Sequence, residues 1–110
     1  MAETRNFFHI SELEQQRKMS GQRYHDFLRV PAMSAGVYVL AAGSTDPQRP
    51  HKEDELYYVT RGRARMRIAD QEQEVSAGSV IFVAANVEHR FFDITEELQV
   101  LVFFAPQESL

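Results

Sequence analysis

The chain has 110 residues, 44% hydrophobic and 25% charged, with 12 basic and 16 acidic side chains giving a net charge of −4. That length fits one small domain with a thin core, expected to span 1–110. The charge balance and the composition exclude several classes. There is no basic excess to hold nucleic acid, no apolar run near the ~20 residues of a membrane span, and no secretory pattern in MAETRNFFHISELEQQ. Zero cysteines also exclude disulfides and thiolate chemistry, and fit a reducing, cytoplasmic setting.

In chain order, the first element is a short helix predicted over 12–19. Ser11 followed by Glu14 has capping-box spacing, Arg17 and Lys18 suit the last turn, and Gly21 suits the exit. Beyond it the pattern has period two. Strands are expected over 24–30 and 36–42, then 56–60, with Arg61-Gly62 as a turn. RARMRIA (63–69) alternates, with Ala64, Met66 and Ile68 on one face and arginines on the other. Further strands are expected over 72–75, 80–83, 89–94 and 98–104, with Thr95-Glu96-Glu97 between the last two. About eight short strands with close turns predict an all-β sandwich or barrel, a jelly roll with one N-terminal helix.

The chain has four histidines, His9, His25, His51 and His89. His51 precedes Glu55 by four residues, and His89 falls on another predicted strand. Imidazole nitrogens and a carboxylate oxygen converging from separate strands suit a divalent cation, and a barrel supplies such convergence by pointing alternate side chains inward. By spacing alone this is a weak signal.

The surroundings strengthen it. The run Gly43-x7-His51-x3-Glu55-x6-Gly62 resembles the first motif of the cupin superfamily, in which a His-x-His pair, a Glu and a Gly follow an opening glycine. The run Gly78-x5-Ala84-x-Asn86-x2-His89-x3-Asp93 resembles the second, Gly-x5-Pro-x-Gly-x2-His-x3-Asn. The motifs cover 43–62 and 78–93. The resemblance implies a small single-domain cupin, a double-stranded β-helix, with a divalent ion (Fe, Zn, Mn or Ni) on His51, Glu55 and His89.

Three positions of the second motif differ. Ala84 stands for Pro, Asn86 for Gly and Asp93 for Asn; Asn tolerates the left-handed backbone, and Asp93 keeps a short polar group. The first motif departs where it matters most. The first histidine of the pair falls on Arg49, which has no lone pair for a metal. Three readings follow. The ion sits on a two-His, one-carboxylate face, with the amide oxygen of Gln48 as a fourth ligand; or Arg49, with Gln48, orients a small anionic substrate beside the ion; or the metal is lost and the barrel is a simple ligand pocket.

Outside the motifs the bland readings prevail. Glu53 and Asp54 read as solvated charges, Glu53 being at most a reserve ligand, and His9 and His25 as structural or surface residues. Arg61, Arg63, Arg65 and Arg67 read as the solvated side of a sheet. Tyr57, Tyr58, Phe82, Phe91, Phe92, Phe103 and Phe104 read mostly as core, and Met33 and Met66 as core filler. The run 98–104, LQVLVFF, is apolar on both faces and so implies burial on both sides or cover by a second subunit, hence a homodimer.

Cupins host many activities, so two functions stay open. One is a metal-dependent enzyme of dioxygenase, isomerase or lyase type acting on a small anionic molecule. The other is a non-catalytic ligand-binding or sensor module using the same pocket. The chain has no GxxxxGK[ST], GxGxxG or Gly-x-Ser-x-Gly run, which leaves nucleotide and serine-nucleophile chemistry unsupported.

Overall fold

The computed structural model describes residues 5–109; residues 1–4, at the start of MAETRNFFHISELEQQ, and residue 110, the end of the expected 1–110 domain, lie outside it. The chain opens on helix α1 (Ile10–Ser20), which starts two residues earlier than the capping box predicts. The cap is His9, whose Nδ1 accepts from Ser11 N at 3.2 Å. Glu14 does not reach back to the helix start. It is buried and meets Arg17 Nε at 3.0 Å. That bond is the main reason its carboxyl titrates below the usual range. The exit is as expected, with Gly21 left-handed at φ 72° and its N–H bonded to the Lys18 carbonyl. His25 is half-buried on the side facing the helix, its Nε2 3.1 Å from Gln16 Oε1.

Six strands follow: β1 (Tyr24–Val30), β2 (Met33–Leu40), β3 (Asp54–Ile68), β4 (Gln71–Ser76), β5 (Val80–Val83) and β6 (His89–Ala105). The all-β expectation holds, but the count of eight does not, because two predicted pairs of strands are each one long strand. The first pair fuses across Gly62. Its φ of 101° bends the chain instead of reversing it, and β6 passes so close that a Cβ there would lie 2.2 Å from the Glu97 carbonyl oxygen. The second pair fuses across Thr95–Glu97, opposite the register shifts of β3 between Val59 and Arg65. Bulges of this kind twist and bend a strand without ending it.

The order is β1-β2-β6-β3-β4, with β5 also on β3. All pairs are antiparallel. Strand β3 therefore carries β6 along one edge and β5 then β4 along the other. The bend lets these two strands serve both halves of the barrel.

The main core lies inside this wrap, with Tyr57, Val59, Met66, Phe91, Leu98, Val100, Val102 and Phe104 nearly sealed from solvent. A smaller cluster joins Leu13 of α1 to Val37 and Val39 of β2, with Leu101 packed against it. So helix α1 covers part of the outer face of the 98–104 run. It does not cover the rest. Leu56, Tyr58, Val80 and Phe82 stay exposed, Phe82 at 60%, and Phe103 is half-buried. The expectation that the aromatic residues are mostly core fails for Tyr58 and Phe82. They fall on the outward phase of β3 and β5, where burial would need another layer. Met66 is core; Met33 is half-buried. Arg61 and Arg63 face solvent as expected, Arg61 with Glu97 and Arg63 with Glu74 and Glu96. No helix among the described residues is long and apolar enough to cross a membrane.

Candidate metal centre

Three segments meet at one end of the wrap. The loop 41–53 brings Gln48 and His51, β3 brings Glu55 on its inward phase, and His89 opens β6. The local geometry follows from the second motif. Asn86 sits left-handed at φ 66°, as its tolerance of that region allows. The turn it makes lets its N–H bond the His51 carbonyl at 2.6 Å. Asp54 Oδ1 accepts from Ala85 N at 2.9 Å. The two histidine-bearing segments are thus tied to each other by one backbone–backbone and one backbone–side-chain hydrogen bond. Asp93 also takes a left-handed φ, 47°.

His51, Glu55 and His89 each present a ligand-type atom within 4.8 Å of the others. Glu55 Oε1 lies 3.1 Å from His89 Nε2 and 3.9 Å from His51 Nε2. The two rings are 5.4 Å apart. Glu55 and His89 are buried and His51 is half-buried. Glu55 Oε1 is sealed from solvent, and while His89 Nε2 carries no proton it has no hydrogen-bond partner, an arrangement that costs about 1–3 kcal/mol for a neutral group and more for a charged one.

The tautomer of His89 sharpens the picture. Its Nδ1 lies 2.9 Å from the Val87 carbonyl oxygen, which can only accept. Nδ1 therefore carries a proton, and whenever the ring is neutral its Nε2 lone pair faces Glu55. Burial pulls the His89 pKa down, but the Glu55 carboxylate and the Val87 carbonyl outweigh it, so the net shift is upward from 6.5. Positive charge is favoured at this point, whether it comes as a proton or as a metal.

Gln48 joins the cluster. Its Oε1 lies 3.1 Å from His89 Nε2 and 3.4 Å from His51 Nε2. Tyr57 OH donates to that oxygen at 2.7 Å, and burial pushes the Tyr57 hydroxyl pKa well up, so it keeps its proton. Arg49 is exposed at the rim. It and Gln48 border a cavity of about 360 Å³ that opens on the cluster, with Tyr24, Tyr38, His51, Glu55 and Phe104 in its walls. Tyr24 OH is buried there without a partner.

Other residues had no signal in the sequence. Glu108 lines the cavity from the C-terminal segment, with Oε2 3.6 Å from His51 Nδ1. Burial, then the Glu55 charge, raises its pKa. Asp46 is buried beneath Gln48 and accepts from Tyr38 OH, Gln48 Nε2 and Phe91 N at 2.7, 2.7 and 2.9 Å. The reading of Glu53 as a solvated charge is corrected. It is buried and stands outside the cluster, its Oε2 accepting from Ser109 Oγ at 2.6 Å. Asp54, exposed as expected, is spent on Ala85 N.

A barrel of this topology, with two imidazoles and a carboxylate at its open end, defines a class. The family described as "Cupin domain" matches residues 36–105, and the chain belongs to that family. It is 46% identical over 102 residues to the uncharacterized protein SCO3923 of Streptomyces coelicolor, covering 93% of this chain and 97% of that protein. Among solved structures it resembles KdgF from a Halomonas species (TM-score 0.69, 17% identity, 76% of each chain). An RmlC-like cupin with a double-stranded β-helix fold from Methanocaldococcus jannaschii is equally similar (TM-score 0.69, 19% identity, 76% and 78%). The DMSP lyase DddQ of Ruegeria pomeroyi aligns at a TM-score of 0.68 with 17% identity over 76% of this chain and 47% of that one. These likenesses fix the fold as a cupin β-barrel with a short N-terminal helix.

Proposed function

We propose that the protein is a single-domain cupin holding a divalent metal ion on His51, Glu55 and His89, and that it acts as an enzyme on a small anionic molecule. One observation carries the reading. A carboxylate oxygen without a hydrogen bond and the imidazole nitrogens of His51 and His89 face a single buried point. Iron, zinc, manganese and nickel all accept such donors. When bound, the ion supplies Lewis acidity to a substrate oxygen.

The chain's own residues have separable tasks. His89 is held in its ligating tautomer by Val87. Arg49 at the rim offers a two-pronged cationic grip for a carboxylate or phosphate. The Tyr24 hydroxyl is free to donate to a bound molecule, and Tyr57, Val102 and Phe104 keep water from the inner wall. The DMSP lyase of similar fold lends the enzymatic reading support. A cytoplasmic setting rests on the cysteine-free composition alone.

The proposal extends to a homodimer, with a second copy of the chain on the outer sheet face. Leu56 pairs with Phe82, and Tyr58 with Val80, in register across β3 and β5. These four expose on the order of 400 Å², as much as a monomer usually leaves open and about half of one partner's share of a standard interface. Phe7, 87% exposed, overhangs the adjoining groove that Leu101 and Phe103 line, which continues the apolar surface. An apolar patch of this kind suits a two-fold pair.

The test is elemental analysis of the purified protein, followed by turnover and thermal-shift assays with small carboxylates and phosphate esters. About one equivalent of metal per chain and turnover that Arg49→Ala weakens support the enzyme. Metal with stabilisation but no turnover favours the ligand-binding module. Absence of metal after reconstitution with all four ions refutes the metal reading.

A further inference from the structure

The loss of the first motif histidine leaves the question of what fills its place. Arg49 occupies that position in sequence, yet the oxygen of the preceding residue is the atom that reaches the cluster. An amide can present either its oxygen or its NH2 group, and which one it presents is set by its neighbours. Here two neighbours agree. The carboxylate of Asp46 offers only acceptors, so it takes the Gln48 NH2 group at 2.7 Å. Tyr57 OH donates to the other side of the amide. Both contacts drive Oε1 toward His51 and His89. Left to itself the amide would do better reversed, with its NH2 donating to the imidazole lone pairs of His51 and His89. Asp46 prevents that. Its own position is fixed by Tyr38 OH and by Phe91 N at the edge of β6.

We propose that Asp46 and Tyr57 lock the Gln48 amide so that its oxygen is the fourth metal ligand, replacing the missing imidazole and making a site of two nitrogens and two oxygens that favours harder ions such as Mn(II). This rests on the metal reading above and deepens it. Exchanging one imidazole for an amide oxygen moves the donor set toward the carbonyl and carboxylate ligands that suit Mn(II), and away from the imidazole-rich sets that suit Zn(II) and Ni(II). Asp46 and Tyr57 are positioning residues that act through Gln48.

The experiment titrates metal-free protein with Mn(II) and with Zn(II) against a chelator, each variant first checked for its thermal transition. Gln48→Leu, of similar size but without a donor, is expected to weaken Mn(II) binding roughly 10–100-fold. Gln48→His should move the Zn(II)-to-Mn(II) affinity ratio at least about tenfold toward zinc. Asp46 is tested by a cycle. Asp46→Ala should weaken binding in the wild-type background but not beside Gln48→Glu, because a carboxylate presents oxygen whichever way it turns. Equal losses in both backgrounds would mean that Asp46 is merely structural and would overturn its assigned part. Gln48→Leu binding Mn(II) within about twofold of wild type would overturn the ligand itself while leaving the three-residue site standing. If the wild-type chain binds neither ion, the metal reading fails, and this inference with it.

Discussion

The inward and outward sides of the first half of β3 lie one residue apart in sequence and have opposite characters. Glu55 and Tyr57 point into the barrel, where they are sealed and surrounded by groups that accept hydrogen bonds. Leu56 and Tyr58 point out onto a bare apolar sheet. A period of two is enough to build a polar site in the interior and an apolar patch on the surface. Each side departs from what its environment ordinarily favours, in opposite directions. Buried acceptors without donors call for a cation, and exposed apolar area calls for a cover.

The comparison can be broken side by side. The largest effect is expected at the inner cluster. Combining His51→Ala with His89→Ala should take the metal content from about one equivalent per chain to near zero by elemental analysis, while leaving the oligomeric state unchanged. Full retention would disprove the assigned ligands. Next comes the outer face, where Phe82→Glu should convert a dimer to a monomer in light scattering at micromolar concentration without altering metal content. A wild-type chain that runs as a clean monomer would remove the case for a second copy.

The bend that lets β3 serve both halves of the barrel offers a third handle. Gly62→Ala must hold a Cβ at φ 101° and against the Glu97 carbonyl. A loss of about 2–3 kcal/mol is expected, seen as a fall of roughly 10 °C in Tm; an unchanged Tm would show that β6 can give way there. The smallest and most specific effect is the pH dependence of metal affinity. His89 must shed a proton at Nε2 to bind, and its pKa is raised. Protons therefore begin to compete at a pH above the ordinary imidazole value. Below that pKa the apparent affinity should fall roughly tenfold per pH unit, and affinity that stays flat down to pH 5 would contradict the role of His89.

Much of this was legible in the sequence because it rests on local signals. The alternation in RARMRIA marks the inner and outer faces of β3, and Asn86 stands where the backbone turns left-handed. His51, Glu55 and His89 meet as their motif spacing implies. What stayed hidden depends on partners distant in the chain. Gly62 reads as a turn until β6 is seen pressed against it, and Thr95–Glu97 reads as a loop although it is a bulge inside one strand. Ser11 has the better capping chemistry by type, yet His9 caps the helix. Glu53 looks solvated in a charged run and is buried by the C-terminal segment. Asp46 carries no motif at all, and its importance emerges only when Tyr38, Gln48 and Phe91 are found around it.

The most direct test of the central claim is a crystal structure of metal-reconstituted protein with anomalous scattering recorded at the metal's absorption edge. The account predicts one anomalous peak within about 2.0–2.2 Å of His51 Nε2, His89 Nε2 and a Glu55 oxygen. A structure with no such peak, and with the two imidazoles hydrogen-bonded directly to Glu55, would contradict it.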